Sequence, residues 1–298
     1  MKLWLENRLF ALTALFLLIG GPSGCGGAGS ADGGSGGSSA GTSGKGDSTG
    51  SSSTQGGSAP EPAGSGDFQR AFSKDAVGVT CDLSFNEMKS SGAPSLTFGD
   101  TTIFVGFQQL EQNQNPVFFR FDKGQKTYCA YHEQESPDGR AYGITWDGGP
   151  KAYVVYTIVG GGSAFDEKAQ GGWMKGYGDG GGSSKVAVIG EVETTTGTLT
   201  RATFIPAKII KNGQTKTNTL NPAGAVTVLA DGSIEFVGGS AWSPLNPDQS
   251  LMCESPDKYP GALDGADGPN FLARFSPDLK TMICSTTKAC SKVLSPCP

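Results

Sequence analysis

The chain has 298 residues, seven cysteines, one histidine and a formal net charge of −5 at pH 7. Mild acidity without a basic run excludes the phosphate-reading mode of nucleic-acid binding. A single histidine leaves His-based metal sites and triad chemistry little to work with.

Lys2 and Arg8, partly offset by Glu6, precede an eleven-residue apolar run over 9–19 broken only by Thr13. A membrane-spanning helix needs about 20 apolar residues. This shorter run and its flanks predict a cleaved signal peptide over residues 1–24. The run ends in Gly20, Gly21, Pro22, Ser23, Gly24 and Cys25. That end resembles the lipobox of bacterial lipoproteins, in which small residues precede the lipid-bearing cysteine. The resemblance implies lipid attachment at Cys25 and a membrane as partner through that anchor. Pro22 stands where the family favours Leu. An ordinary secretory leader cut near Ser23 or Gly24 is the alternative, and would leave a secreted or periplasmic protein. Gly26 stands where enteric lipoproteins held at the inner membrane carry Asp, so the resemblance points to the outer membrane or cell surface.

Residues 25–66 hold 26 Gly or Ser among 42, with no aromatic side chain and no aliphatic larger than Ala. Such a segment cannot bury enough apolar surface to offset its ordering entropy. It is expected to be a disordered tether spanning about 35 Å, stiffened only by Pro60 and Pro62.

Residues 67–298 are long enough for one well-cored domain and carry 20 Lys or Arg against 24 Asp or Glu. Besides Cys25 the cysteines are Cys81, Cys129, Cys253, Cys284, Cys290 and Cys297. Behind a signal peptide an even set predicts up to three disulfides, with 15 possible pairings for six cysteines. Three of them fall in the last 15 residues, so at least one bridge is expected to pin the C-terminal tail. No Cys-x-x-Cys occurs, which weighs against zinc.

Gly, Thr, Val and Phe dominate this domain, and runs of period two outnumber helical ones. One short helix is expected within 68–76. Three passages repeat a pattern of strand, Asp/Gly turn, strand: Leu96–Gly106, Ile144–Tyr156 and Val226–Gly238. A second hairpin follows each, over 117–131, 186–205 and 271–285. Arg120, Phe121, Lys126 and Thr127 recur 154 positions later as Arg274, Phe275, Lys280 and Thr281. Four strands per unit are the mark of radial β-repeats. The stretch 226–278, with Val-Gly-Gly followed by Phe-Leu-Ala-Arg-Phe-Ser-Pro-Asp, is similar to β-propeller repeats of bacterial secreted and surface proteins. The expected fold is all-β, with repeated four-stranded antiparallel meander sheets in a propeller-like arrangement. A β-sandwich is the alternative. Three units are few for a closed propeller, so 77–85 is a candidate closing segment, and oligomerisation another route to closure.

The glycine-rich stretch 160–184 reads as a long loop, and its Trp173 and Tyr177 are candidates for stacking on a sugar ring or inserting into a protein partner. The alternative is that they fold back over the core. Within it, Gly176, Gly178 and Gly181 fit Gly-x-Gly-x-x-Gly, but a strand follows where the dinucleotide motif requires a helix. Asp264, Asp267 and Asn270 form a weak calcium candidate lacking the spacing of an EF-hand loop. No other cofactor is expected. His132, beside Glu133 and Glu135, reads as an exposed surface residue, and no catalytic residue stands out. The function expected is an exported, lipid-anchored envelope lipoprotein presenting a β-repeat domain that binds a glycan or protein. A secreted propeller-type hydrolase using loop carboxylates is the alternative, and a structural envelope component a third.

Overall fold

A computed structural model describes residues 67–133, 138–159, 164–176, 184–253, 270–287 and 290–298. The leader, Cys25 and the tether lie outside the described residues.

The described chain is all-β with antiparallel sheets. The first sheet is a meander of β2 (Ser95–Phe98), β3 (Thr101–Leu110), β4 (Asn113–Asp122) and β5 (Gln125–Tyr131), hydrogen-bonded in chain order. The second runs β1 (Gln69–Phe72), β6 (Gly139–Trp146), β7 (Lys151–Val159), β8 (Lys185–Glu193) and β9 (Thr198–Ile205). A separate hairpin pairs β10 (Ala207–Lys211) with β11 (Gln214–Asn218). In the third sheet, β12 (Asn221–Pro222) and β13 (Thr227–Val228) both pair with β14 (Ile234–Gly239). Beyond β14 come β15 (Phe271–Phe275) and β16 (Met282–Thr287).

The three expected four-stranded passages therefore fall on the three sheets, and a structural detail repeats with them. In the last hairpin of each sheet the register slips by one residue, after Arg120, Glu191 and Arg274. Thr127, Thr200 and Ile283 are the extra residues, β-bulges that increase the local twist. The sequence match at a spacing of 154 holds for Arg120 and Phe121 but fails beyond the turn. The β15–β16 connection is longer than the Lys123–Gly124 turn, so Lys280 and Thr281 lie in the turn. Cys129 thus faces Phe119 while Cys284 faces Arg274, which puts the two cysteines on opposite faces of their sheets.

The first sheet is apolar on both faces, as the unbroken run of buried residues in β3 and β4 requires. Leu96, Ile103, Val105 and Phe118 face the main core with Ile144, Trp146 and Val154 of the second sheet. Phe104, Val117, Phe119 and Phe121 face the other way, under Val79 and Met88. Residues 77–79 continue the row begun by β2, because Val79 N donates to Phe107 O and Phe107 N to Val77 O. The candidate closing segment thus covers the outer face of the first sheet.

Residues 68–76 are not helical. Within them Gln69–Phe72 form β1, whose pairing with β6 from Gln69↔Trp146 to Phe72↔Gly143 overrides local propensity. The helix lies later, as α1 (Phe85–Ser90), where Ser84 and Glu87 form a reciprocal capping box. The glycine-rich stretch also holds structure: α2 (Ala164–Lys168) and a 3-10 turn over Ala169–Gly171.

All six cysteines of the domain pair: Cys81 with Cys129, Cys253 with Cys290, and Cys284 with Cys297. Two bridges hold the C-terminal tail. Asn246, fully buried, knits the same tail by donating from Nδ2 to Lys292 O and accepting at Oδ1 from Leu294 N. Ser285 N donates to Ser295 O, so the tail also covers part of the outer edge of β16.

Candidate functional site

A polar constellation of half-buried and buried side chains lies in the seam between the first and second sheets. Arg120 on β4 packs its guanidinium on Asp122, with Nε 3.1 and 2.9 Å from the two carboxylate oxygens. Thr101 and Thr127 each donate a hydroxyl to the same carboxylate at 2.6 Å. The Arg120 guanidinium, helped by these hydroxyls, holds the Asp122 carboxyl well below the usual carboxylate range. Arg120 Nη1 reaches across the seam to Thr194 O at 2.9 Å, and Tyr128 Oη donates to the same carbonyl at 2.6 Å. Burial raises the Tyr128 phenol, so it stays protonated as a donor. The β8–β9 turn is thus clamped to the first sheet by two donors on one carbonyl.

His132 lies beneath the same turn and is buried, not exposed as its polar neighbours suggest. Nε2 is 2.8 Å from Gly197 O and Nδ1 is 2.7 Å from Tyr156 Oη. A carbonyl can only accept, so this network assigns the proton to Nε2 and makes Nδ1 the acceptor of the Tyr156 hydroxyl. Phe118 and Tyr156 flank the ring, with centroids 5.7 Å away in each case. Burial lowers the imidazole to about 4, so it is neutral at pH 7. Both ring nitrogens are spent inside the fold, which suits a structural strut more than a proton carrier. A shallow cleft of about 270 Å³ opens beside it, bordered by Tyr131, Lys168, Thr196 and Thr198. Glu133, also buried, accepts from Ala164 N at 2.9 Å and so anchors the start of α2.

Trp173 is turned inward. Its Nε1 donates to Pro247 O at 2.7 Å, its ring meets Phe275 edge-on with centroids 5.9 Å apart, and 8% of its surface is exposed. Met174 beside it is buried as well. The indole closes the core instead of offering a stacking face, which corrects its reading as a binding residue. Tyr177 lies outside the described residues, as do Asp264 and Asp267. Asn270 is described, and its amide exchanges hydrogen bonds at 3.3 Å with the backbone of Ser240, where it closes the entry to β15. Among the described residues no group of three His, Cys, Asp or Glu could hold a metal ion.

A second buried carboxylate, Glu191 on β8, lies 3.3 Å from Lys151 Nζ and 3.6 Å from Arg201 Nη1. Thr200, the bulge residue of β9, donates to it at 2.9 Å. Burial and this carboxylate push the neighbouring Tyr153 up to about 12. The described carboxyls displaced from their ordinary range all move downward: Asp82, Glu87, Asp122, Glu167, Asp231, Asp248 and Asp278. These are carboxylates held ionised by donors, the opposite of a carboxylic acid poised to give up a proton.

Sequence reasoning missed the seam. Arg120, Tyr128 and His132 are near one another in the chain, but their partners Thr194 and Gly197 lie 65 to 74 positions away, and no spacing rule joins them. Comparison with known proteins found no matching family model, no similar curated protein and no similar solved structure.

Proposed function

We propose that the chain is an exported, lipid-anchored envelope protein. Cys25 carries the anchor, residues 25–66 space the domain from the bilayer, and 67–298 present a β-repeat interaction surface. The observation that carries this reading is the complete pairing of six cysteines within the β domain, which leaves Cys25 outside the disulfide framework. Three disulfides are compatible with an extracytoplasmic compartment, since they persist where the medium is oxidising. The leader ahead of Cys25 supports the same compartment.

The three sheets, each with a meander and a bulge at the same step, support a propeller-like reading. A glycan or protein is the proposed ligand, because the buried polar groups at the seam serve the fold. The expected address is the outer membrane or cell surface. Replacing Cys25→Ala is expected to abolish labelling by a fatty-acid probe and release the protein from the membrane fraction. Unchanged labelling overturns the anchor.

A further inference from the structure

The hairpin β10–β11 stands apart as its own two-stranded sheet. Residues 206–219 contain three lysines and no acid, while the rest of 67–298 holds seventeen Lys and Arg against twenty-four Asp and Glu. Along the chain these lysines look scattered, at 208, 211 and 216. Pairing changes that: Lys211 faces Gln214 and Ile209 faces Lys216, so Lys211, Ile209 and Lys216 share one face. Residues 211–216 are all exposed, and Ile209 and Ile210 are half-buried. None of the three lysines is ion-paired to a described residue, whereas Arg120, Lys151, Arg201, Arg274 and Lys280 each are.

Asn212 and Gly213 make the tight turn with φ of 54° and 73°. Lys208 exchanges both backbone hydrogen bonds with Ser243, at 2.8 and 3.1 Å, which ties the base of the hairpin to the domain. Two like charges on diagonal cross-strand positions repel. An uncompensated lysine pair on a hairpin without an acid, in an acidic domain, is a local conflict that an anionic partner would relieve.

We infer that this hairpin docks on a lipid bilayer bearing anionic headgroups. The two ammonium groups are point charges, suited to a diffuse surface charge more than to a chelated phosphate. Ile209, on the same face as the two lysines, supplies apolar contact at headgroup depth. The dock rests on the envelope reading only in that a bilayer must be within reach. The two lysines on this face raise partitioning onto an anionic surface by about thirtyfold over a neutral one. That is weak alone and sufficient to orient a domain already tethered to the same bilayer.

The test uses the chain from Gly26 to Pro298, exported behind a leader without a lipid-attachment cysteine. It is mixed with phosphatidylcholine vesicles, with and without phosphatidylglycerol, and co-sedimentation is measured. About a thirtyfold preference for the anionic vesicles at low salt, shrinking as salt is added, is expected. The double substitution Lys211→Gln with Lys216→Gln should lower it about thirtyfold. Lys211→Arg with Lys216→Arg should retain it. Lys123→Gln with Lys280→Gln, which removes the same net charge from exposed turns elsewhere, should leave it unchanged. Equal partitioning on both vesicle types overturns the dock, as does an equal loss in the Lys123/Lys280 control. A preference for a soluble polyanion over vesicles also overturns it. If the glutamine pair fails to fold, the salt titration and the arginine pair still decide. Because this chain carries no lipid, a failed dock leaves the anchor to be decided separately, by fatty-acid labelling at Cys25.

Discussion

His132 shows how a single buried base shapes stability. Its imidazole is lowered to about 4 by burial, against about 6.5 in an unfolded chain. A depressed base binds its proton more readily when unfolded, so the stability it allows is complete above pH 6.5. That stability is lost as the pH falls toward 4. Between pH 7 and 5 the loss is about 2 kcal/mol. The lowered carboxyls, Asp122 among them, give up their share only at still lower pH, which leaves this window to the histidine. Denaturant unfolding at pH 7 and 5 should therefore show a smaller difference in His132→Gln than in the unsubstituted protein; equal differences would sink the assignment. Trp173 makes the same point for packing. Removing a buried indole leaves a cavity and an unpaired Pro247 carbonyl, so Trp173→Ala should cost about 3–5 kcal/mol of unfolding free energy. Trp173→Phe, which keeps a ring against Phe275 and loses one donor, should cost less. A Trp173→Ala change below about 1 kcal/mol would return the side chain to the candidates for binding.

At the scale of elements, the β8–β9 turn positions the seam. Gly197 has φ of 73°, and a Cβ there would stand 2.5 Å from Tyr128 Cε2 and 2.8 Å from Ala130 Cβ. Gly213, in the β10–β11 turn, has the same φ of 73° but nothing within 4 Å. Gly213→Ala should therefore cost about 1 kcal/mol for backbone strain alone. Gly197→Ala should cost about 3 kcal/mol, since overpacking adds to that strain. Thermal melts of the two variants separate the terms, and equal shifts would mean that the seam yields freely. Hairpins and their turns are legible in the sequence because Asp-Gly and Asn-Gly dipeptides impose local geometry. The helix falls outside its expected place for the converse reason. The segment 68–76 has acceptable helix formers, but it is claimed by long-range pairing with β6. The capping box at Ser84 and Glu87 is the local signal that marks where the helix does begin.

For the whole molecule, the covalent framework complements a core divided into two clusters. The Cys81–Cys129 bridge closes a separation of 48 residues beside the outer cluster, next to Val79 and Met88. Cys253–Cys290 and Cys284–Cys297 span 37 and 13 residues and hold the tail. In the chain-entropy account such loops stabilise by about 3–4 kcal/mol each, most for the longest. Alkylation without reductant should leave these six cysteines unmodified by intact mass. The double variant Cys81→Ala with Cys129→Ala should lose the most stability of the three pairs, about 4 kcal/mol. Six reactive thiols would refute the framework.

The sequence by itself determined what depends on near neighbours and composition. The all-β class, the positions of most strands, the turns between them and an even set of cysteines within 67–298 are all of this kind. Composition also bounds what residues 25–66 can do, since glycine and serine offer no apolar surface to bury. Only the tertiary structure decided which cysteine meets which. It alone showed that His132 is enclosed, that Trp173 closes a core, and that Lys211 and Lys216 share a face. Each of these is set by approach between strands distant in the chain. Burial and long-range pairing are properties of that approach, and no window of consecutive residues contains them.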